Sequence, residues 1–129
     1  MALDLTEMEV LLQRRYNCLH EIHRLTKEML EMVSRRDEVS LSLMLDMRAE
    51  EMEKYSVCQE MIWKKAENDP QDAEQVMRIM KIDPEEGLAT AKTEEKLVYQ
   101  IRKKTVELIS EVQQLDQLLG LRIHAGQPR

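Results

Sequence analysis

The side chains at Leu5, Met8, Leu12, Arg15, Leu19, Ile22, Thr26, Met29 and Val33 stand alternately three and four residues apart. That interval tracks the 3.6-residue helical turn and places all nine on one stripe, whereas a strand requires alternation at every second residue. Only Arg15 and Thr26 are polar. A stripe of this length predicts a long amphipathic helix whose apolar side is covered by other helices. Asp4 stands three residues before Glu7 and Thr6 three before Glu9, and either pair can satisfy free amides at the helix start. The first helix is expected over about residues 4–34.

Ser34-Arg35-Arg36-Asp37-Glu38 breaks the stripe. Asp37 or Ser40 can cap a second helix over about 38–68, with a seam of Leu41, Leu45, Arg48, Met52, Tyr55, Gln59, Ile62 and Ala66. Asp69-Pro70 is a start signal, since proline fits the first helical turn and aspartate caps it. A short helix over about 70–80 follows. Asp83-Pro84 repeats the signal, but Gly87 and Thr90 argue for a loop with helical turns over residues 81–92. A last helix over about 93–123 carries Val98, Ile101, Thr105, Leu108, Val112, Leu115 and Leu119, and is expected to fray from Gly120 onward.

Composition points the same way. The chain has three glycines, three prolines, no phenylalanine and 3% aromatic residues, against ten methionines and 34% charged residues. Residues that retain side-chain freedom in helices dominate, and strand formers are sparse. At 129 residues the chain fits one domain. The expected fold is all-α, an antiparallel three-helix bundle of long coiled-coil-like helices, with a short helical insert between the second and third. A homodimer completing a larger bundle is also compatible. Folding the first two helices back at residues 36 and 37 places Tyr16 level with Val57 and Tyr55 level with Cys18, so both tyrosines fall in one layer. Trp63 falls near the entry of Tyr99.

The net charge is −6, and residues 69–95 hold eight acids against three bases. No basic face suited to phosphates is present, so nucleic acid is not an expected partner. The start lacks a basic segment followed by an apolar one, and no run of about 20 apolar residues occurs, so a cytoplasmic location without membrane insertion is expected. Cys18 and Cys58 lack metal-type spacing and read as small apolar side chains.

Catalytic arrangements are hard to assemble from these residues. His20 and His23 are three apart, but companion carboxylate–histidine pairs are missing from the other helices, and no glycine-rich phosphate loop can be built. A small helical enzyme of chorismate mutase type would use arginines and lysines such as Arg14, Arg15, Arg48 and Lys54. Arg15 and Arg48, however, fall at distant levels, and both are expected to lay their stems along the core and lift their charge to the surface. The chain is therefore expected to be no enzyme and to need no cofactor or metal. Binding remains. Met29, Met32, Met44, Met47, Met52, Met61, Met77 and Met80 exceed the needs of one seam and suit adaptable apolar contacts, although filling an irregular core is their simplest role. Leu115, Leu118, Leu119, Leu121 and Ile123 point in more directions than one seam buries, which marks them as candidate partner-binding residues.

Leu11-Leu12-Gln13-Arg14-Arg15-Tyr16 in the first helix, Arg36-Asp37-Glu38 at the turn and Leu43-Met44-Leu45-Asp46-Met47-Arg48 in the second resemble the FlgN-like flagellar export chaperones, the FlgN/FliT class. The resemblance covers about two thirds of the chain, with Arg36-Asp37 where that family often has Gly-Asp. It implies a cytoplasmic helical bundle that holds the C-terminal helix of a hook–filament junction or filament-cap protein and delivers it to the type III export apparatus, without nucleotide or metal. The competing expectation is a non-catalytic coiled-coil scaffold or oligomerisation module.

Overall fold

A computed structural model describes residues 3–126. These residues form five α-helices and no strand: α1 (Leu5–Arg35), α2 (Glu38–Lys64), α3 (Pro70–Lys81), α4 (Pro84–Thr90) and α5 (Lys96–Gly126), with 3-10 turns at Lys65–Glu67 and Thr93–Glu95. The all-α bundle of long helices is therefore the observed fold. No described helix is long and apolar enough to cross a membrane.

Aspartates open four of the five helices. Asp4, Asp37, Asp69 and Asp83 accept hydrogen bonds from the amides of Glu7, Ser40, Asp72 and Glu85, at 3.1, 3.0, 2.8 and 2.9 Å. Each fills an amide that the first turn leaves free. The α1–α2 turn closes on Arg36, whose φ of 57° is left-handed. Its amide donates to Val33 O and the next amide, of Asp37, to Met32 O, the paired pattern of a Schellman stop.

α1 is central. It packs lengthwise on both α2 and α5, while α2 and α5 touch each other far less. Contacts of Arg15 with Gln59, Thr26 with Arg48 and Glu7 with Lys65 fix α2 antiparallel to α1. Lys104 on Gln13 and Leu119 against Met29 fix α5 parallel to α1. The stripe expected along α1 is buried from Met8 to Met29, and Val98, Ile101, Thr105, Leu108 and Leu119 are its buried counterparts on α5. The seam hydroxyls of Thr26 and Thr105 donate to the carbonyls of Ile22 and Ile101, so burial strands neither.

Three expectations are corrected here. On α2, Leu45 and Met52 are exposed, and the inward row runs through Met44, Arg48, Glu51, Tyr55, Cys58 and Ile62. The two tyrosines lie near one level but face apart, Tyr55 toward Arg15 and Tyr16 toward Lys104, whose Nζ stands 4.3 Å from the Tyr16 ring centre. The last helix does not fray at Gly120, because Leu119 and Ile123 stay packed against the end of α1.

The acidic stretch closes one end of the bundle. Val76, Ile79 and Met80 of α3 join Met8, Leu12, Ile62, Val98, Tyr99 and Ile101 in the larger core cluster, with Trp63 and Leu88 at its edge. Arg102 donates to the carbonyls of Ile79 and Ile82, at 2.9 and 2.5 Å, and so ties the end of α3 to α5. Buried Glu95 accepts from Arg78 at 2.6 Å. Gly87 sits inside α4, where an added Cβ would come within 2.5 Å of the Tyr99 ring, so the absent side chain lets α4 approach α5. The opposite end holds a smaller cluster of Met29, Leu30 and Leu119, flanked by Leu41, Met44 and Leu115.

Candidate partner-binding surface

The five C-terminal residues separate by position on α5. Leu119 is 2% exposed against Met29 and Leu30, and Leu115 and Ile123 pack on the same cluster. Leu119 is core, and Leu115 and Ile123 are half-buried against it, so these three serve the bundle first. Leu118 is partly exposed beside His23 and Glu111, and Leu121 is 70% exposed beside Gly120. A double change of Leu118 and Leu119 would therefore cut into the core, whereas Leu118 and Leu121 can be altered together.

The larger apolar surface lies on α2. Of its 27 residues only Cys58 and Ile62 are buried. Val39, Leu43 and Met47, four residues apart, form one outward row, and Val57 and Met61 continue it beyond Lys54. Val39 reaches 83% exposure. Sequence reasoning missed this surface because it set the seam of α2 through Leu45 and Met52, which the bundle leaves exposed. The signal was present, since α2 has apolar residues on every side and no single stripe. Met8, Met29 and Met80 are core residues, while Met47, Met52, Met61 and Met77 are exposed, which divides the methionines between filling and surface.

Along the outer side of the α1–α2 pair runs a groove that no α5 residue lines. Val10, Leu11, Cys18, Val57 and Met61 form its apolar floor, and its section beside Val10 encloses about 510 Å³. Arg14, Lys54, Lys64 and Lys65 stand around it, with Glu7 and Glu53. Lys65 pairs with Glu7, and Lys54 with Glu51 at 3.1 Å. Arg14 and Lys64, on opposite walls, have no ion-pair partner among the described residues.

The residues considered for catalysis do not converge. Arg15 is buried with its Nη1 donating to Gln59 Oε1 at 2.5 Å and its guanidinium 5.8 Å from the Tyr55 ring centre, and its Nε has no hydrogen-bond partner. Burial lowers its pKa, with Tyr55 and Cys58 opposing. Arg48 donates to Asp116 at 2.7 Å. The expectation that both arginines lift their charge to the surface is thus corrected, since each guanidinium is held at the α2 seam. Arg14 and Lys54 face the outer groove instead. His20 turns toward Tyr16, with ring centres 6.3 Å apart, while His23 Nε2 lies 3.4 Å from Glu111. Burial first, then Lys27, holds the His23 pKa below its ordinary value. Among the described residues no three histidine, cysteine, aspartate or glutamate side chains are grouped to hold a metal ion.

Cys18 and Cys58 are free thiols brought side by side across the α1–α2 seam. Burial, then the neighbouring Cys58, pushes the Cys18 pKa up. Their separate positions in sequence hide this contact, although the fold-back register of the hairpin brings them nearly level. Comparison with protein-family models, curated proteins and solved structures finds no match for this chain.

Proposed function

We propose that this chain is a non-catalytic, cytoplasmic export chaperone of the FlgN/FliT type. It holds the amphipathic C-terminal helix of a hook–filament junction or filament-cap protein and passes it to the type III export apparatus. The observation that carries this reading is the outward face of α2. A helix of 27 residues that buries two of them, and exposes Val39, Leu43, Met47, Val57 and Met61, leaves apolar area that a partner helix can cover. The sequence resemblance supplies the identity of that helix. Leu118 and Leu121 on α5 form a smaller second contact in the same reading.

The test is co-expression with the C-terminal helical segments of the junction and cap proteins from the same genome, followed by size-exclusion chromatography with light scattering. A one-to-one complex with one of them is expected, weakened by Leu43→Asp with Met47→Asp and, less, by Leu118→Asp with Leu121→Asp, while circular dichroism stays helical. Absence of a complex with every such segment refutes the export role. The exposed row on α2 equally favours one competing reading, a scaffold in which a second copy covers that row. A stable homodimer that Leu43→Asp dissociates would establish it.

A further inference from the structure

We infer that the outer α1–α2 groove is a docking site for an acidic amphipathic helix of another protein. The proposal rests on the reading that this chain binds protein helices but not on an export role; the groove shares Val57 and Met61 with the outward row of α2 and is separate from Val39, Leu43 and Met47. Two observations combine. The floor is apolar from Val10 to Cys18 on α1, against Val57 and Met61 on α2, roughly 12 Å or two helical turns, which suits the apolar stripe of a single partner helix. The walls carry four cations, Arg14, Lys54, Lys64 and Lys65, against two carboxylates, Glu7 and Glu53, in a molecule whose net charge is −6.

The charge placement selects the occupant. Arg14 and Lys64 project from α1 and α2 on opposite sides of the floor and have no ion-pair partner among the described residues. An incoming helix with glutamates flanking its apolar stripe meets both walls favourably, and one with lysines meets like charge on both. The whole-molecule charge makes the opposite choice, because at a distance a chain of −6 attracts a cationic peptide. The local and global fields therefore predict different winners. Cys18, half-buried on the floor, adds a reporter of position, since an occupant covers its thiol.

Two synthetic peptides of about 18 residues test this, with an identical leucine stripe and either glutamate or lysine at the flanking positions. Fluorescence anisotropy is expected to give about tenfold tighter binding of the glutamate peptide at low salt. The preference should fade near 0.5 M salt, where screening shortens to about 4 Å. Arg14→Glu with Lys64→Glu should invert it, and Met61→Asp should abolish binding with helicity unchanged. Mass-spectrometric mapping should show slower alkylation of Cys18 when the glutamate peptide is bound. Equal affinities, a preference for the lysine peptide, a preference unmoved by the charge reversal, or unprotected Cys18 each overturn the proposal. So does a homodimer that Met61→Asp dissociates, which would make a second copy the occupant. Failure of the junction-protein complex with the peptide preference intact refutes the export role alone, and the converse refutes this groove alone.

Discussion

Arg15 brings a full positive charge into the α1–α2 seam and meets a neutral amide there rather than a carboxylate. A guanidinium remains ionised at neutral pH, so burial leaves its desolvation only partly offset by Gln59 and the Tyr55 ring. Two opposite changes follow from that imbalance. Gln59→Ala removes the side-chain acceptor and should cost about 2 kcal/mol in chemical denaturation. Arg15→Met replaces the charge by an apolar chain of similar reach and should raise stability by about 1 kcal/mol. Once Arg15→Met is in place, adding Gln59→Ala should lose most of its effect, and an undiminished cost there would show that Gln59 acts by packing alone. The sequence displayed Arg15 as a polar member of an apolar stripe but gave no sign that the stripe would close over it. Closure depends on how near α2 lies, which no local pattern encodes.

Among the elements, the α1–α2 turn stops on a residue poorly suited to its backbone. Arg36 adopts left-handed geometry, with φ 57° and ψ 33°, where a β-carbon crowds the following carbonyl. Glycine has no such conflict, though its unfolded chain is freer. Arg36→Gly should therefore gain up to about 1 kcal/mol, read as a higher denaturation midpoint with an unchanged slope. No gain would mean that the Arg36 side chain supplies a contact matching the backbone term. The helices themselves were largely legible. The three-four stripe of α1 and the Asp-Pro start of α3 are local signals whose energies lie within one or two turns. By contrast α4, expected as a loop with helical turns, is a helix whose Gly87 is accounted for only by the nearness of Tyr99. α2 was legible as a helix but not in its facing, because with apolar side chains all round its rotation is settled by α1 and the cap.

Across the whole molecule, the all-α class and the bundle could be read from period and composition, whereas the candidate surface could not. Leu119 reads in sequence both as a seam residue and as part of the apolar surplus, and is core because α5 runs on beside α1; Val39 and Leu43 look like ordinary helix residues and are left uncovered because α5 favours α1 over α2. Exposure is a property of the assembly of helices, and sequence shows only the helices. The same asymmetry governs how the molecule yields. α2 is fastened near one end by Leu41 and Met44 and near the other by Cys58 and Ile62, with Arg48–Asp116 and the Tyr55–Arg15 contact between. Hydrogen exchange should find amides over residues 45–57 opening about tenfold faster than those over residues 11–29 of α1. Uniform protection of both would show that the helices open only together. A rod clamped at both ends and lightly held in the middle bows without releasing its clamps, so mechanical compliance is concentrated in one span, and a partner of imperfect shape can be accommodated there while the two core clusters keep their packing.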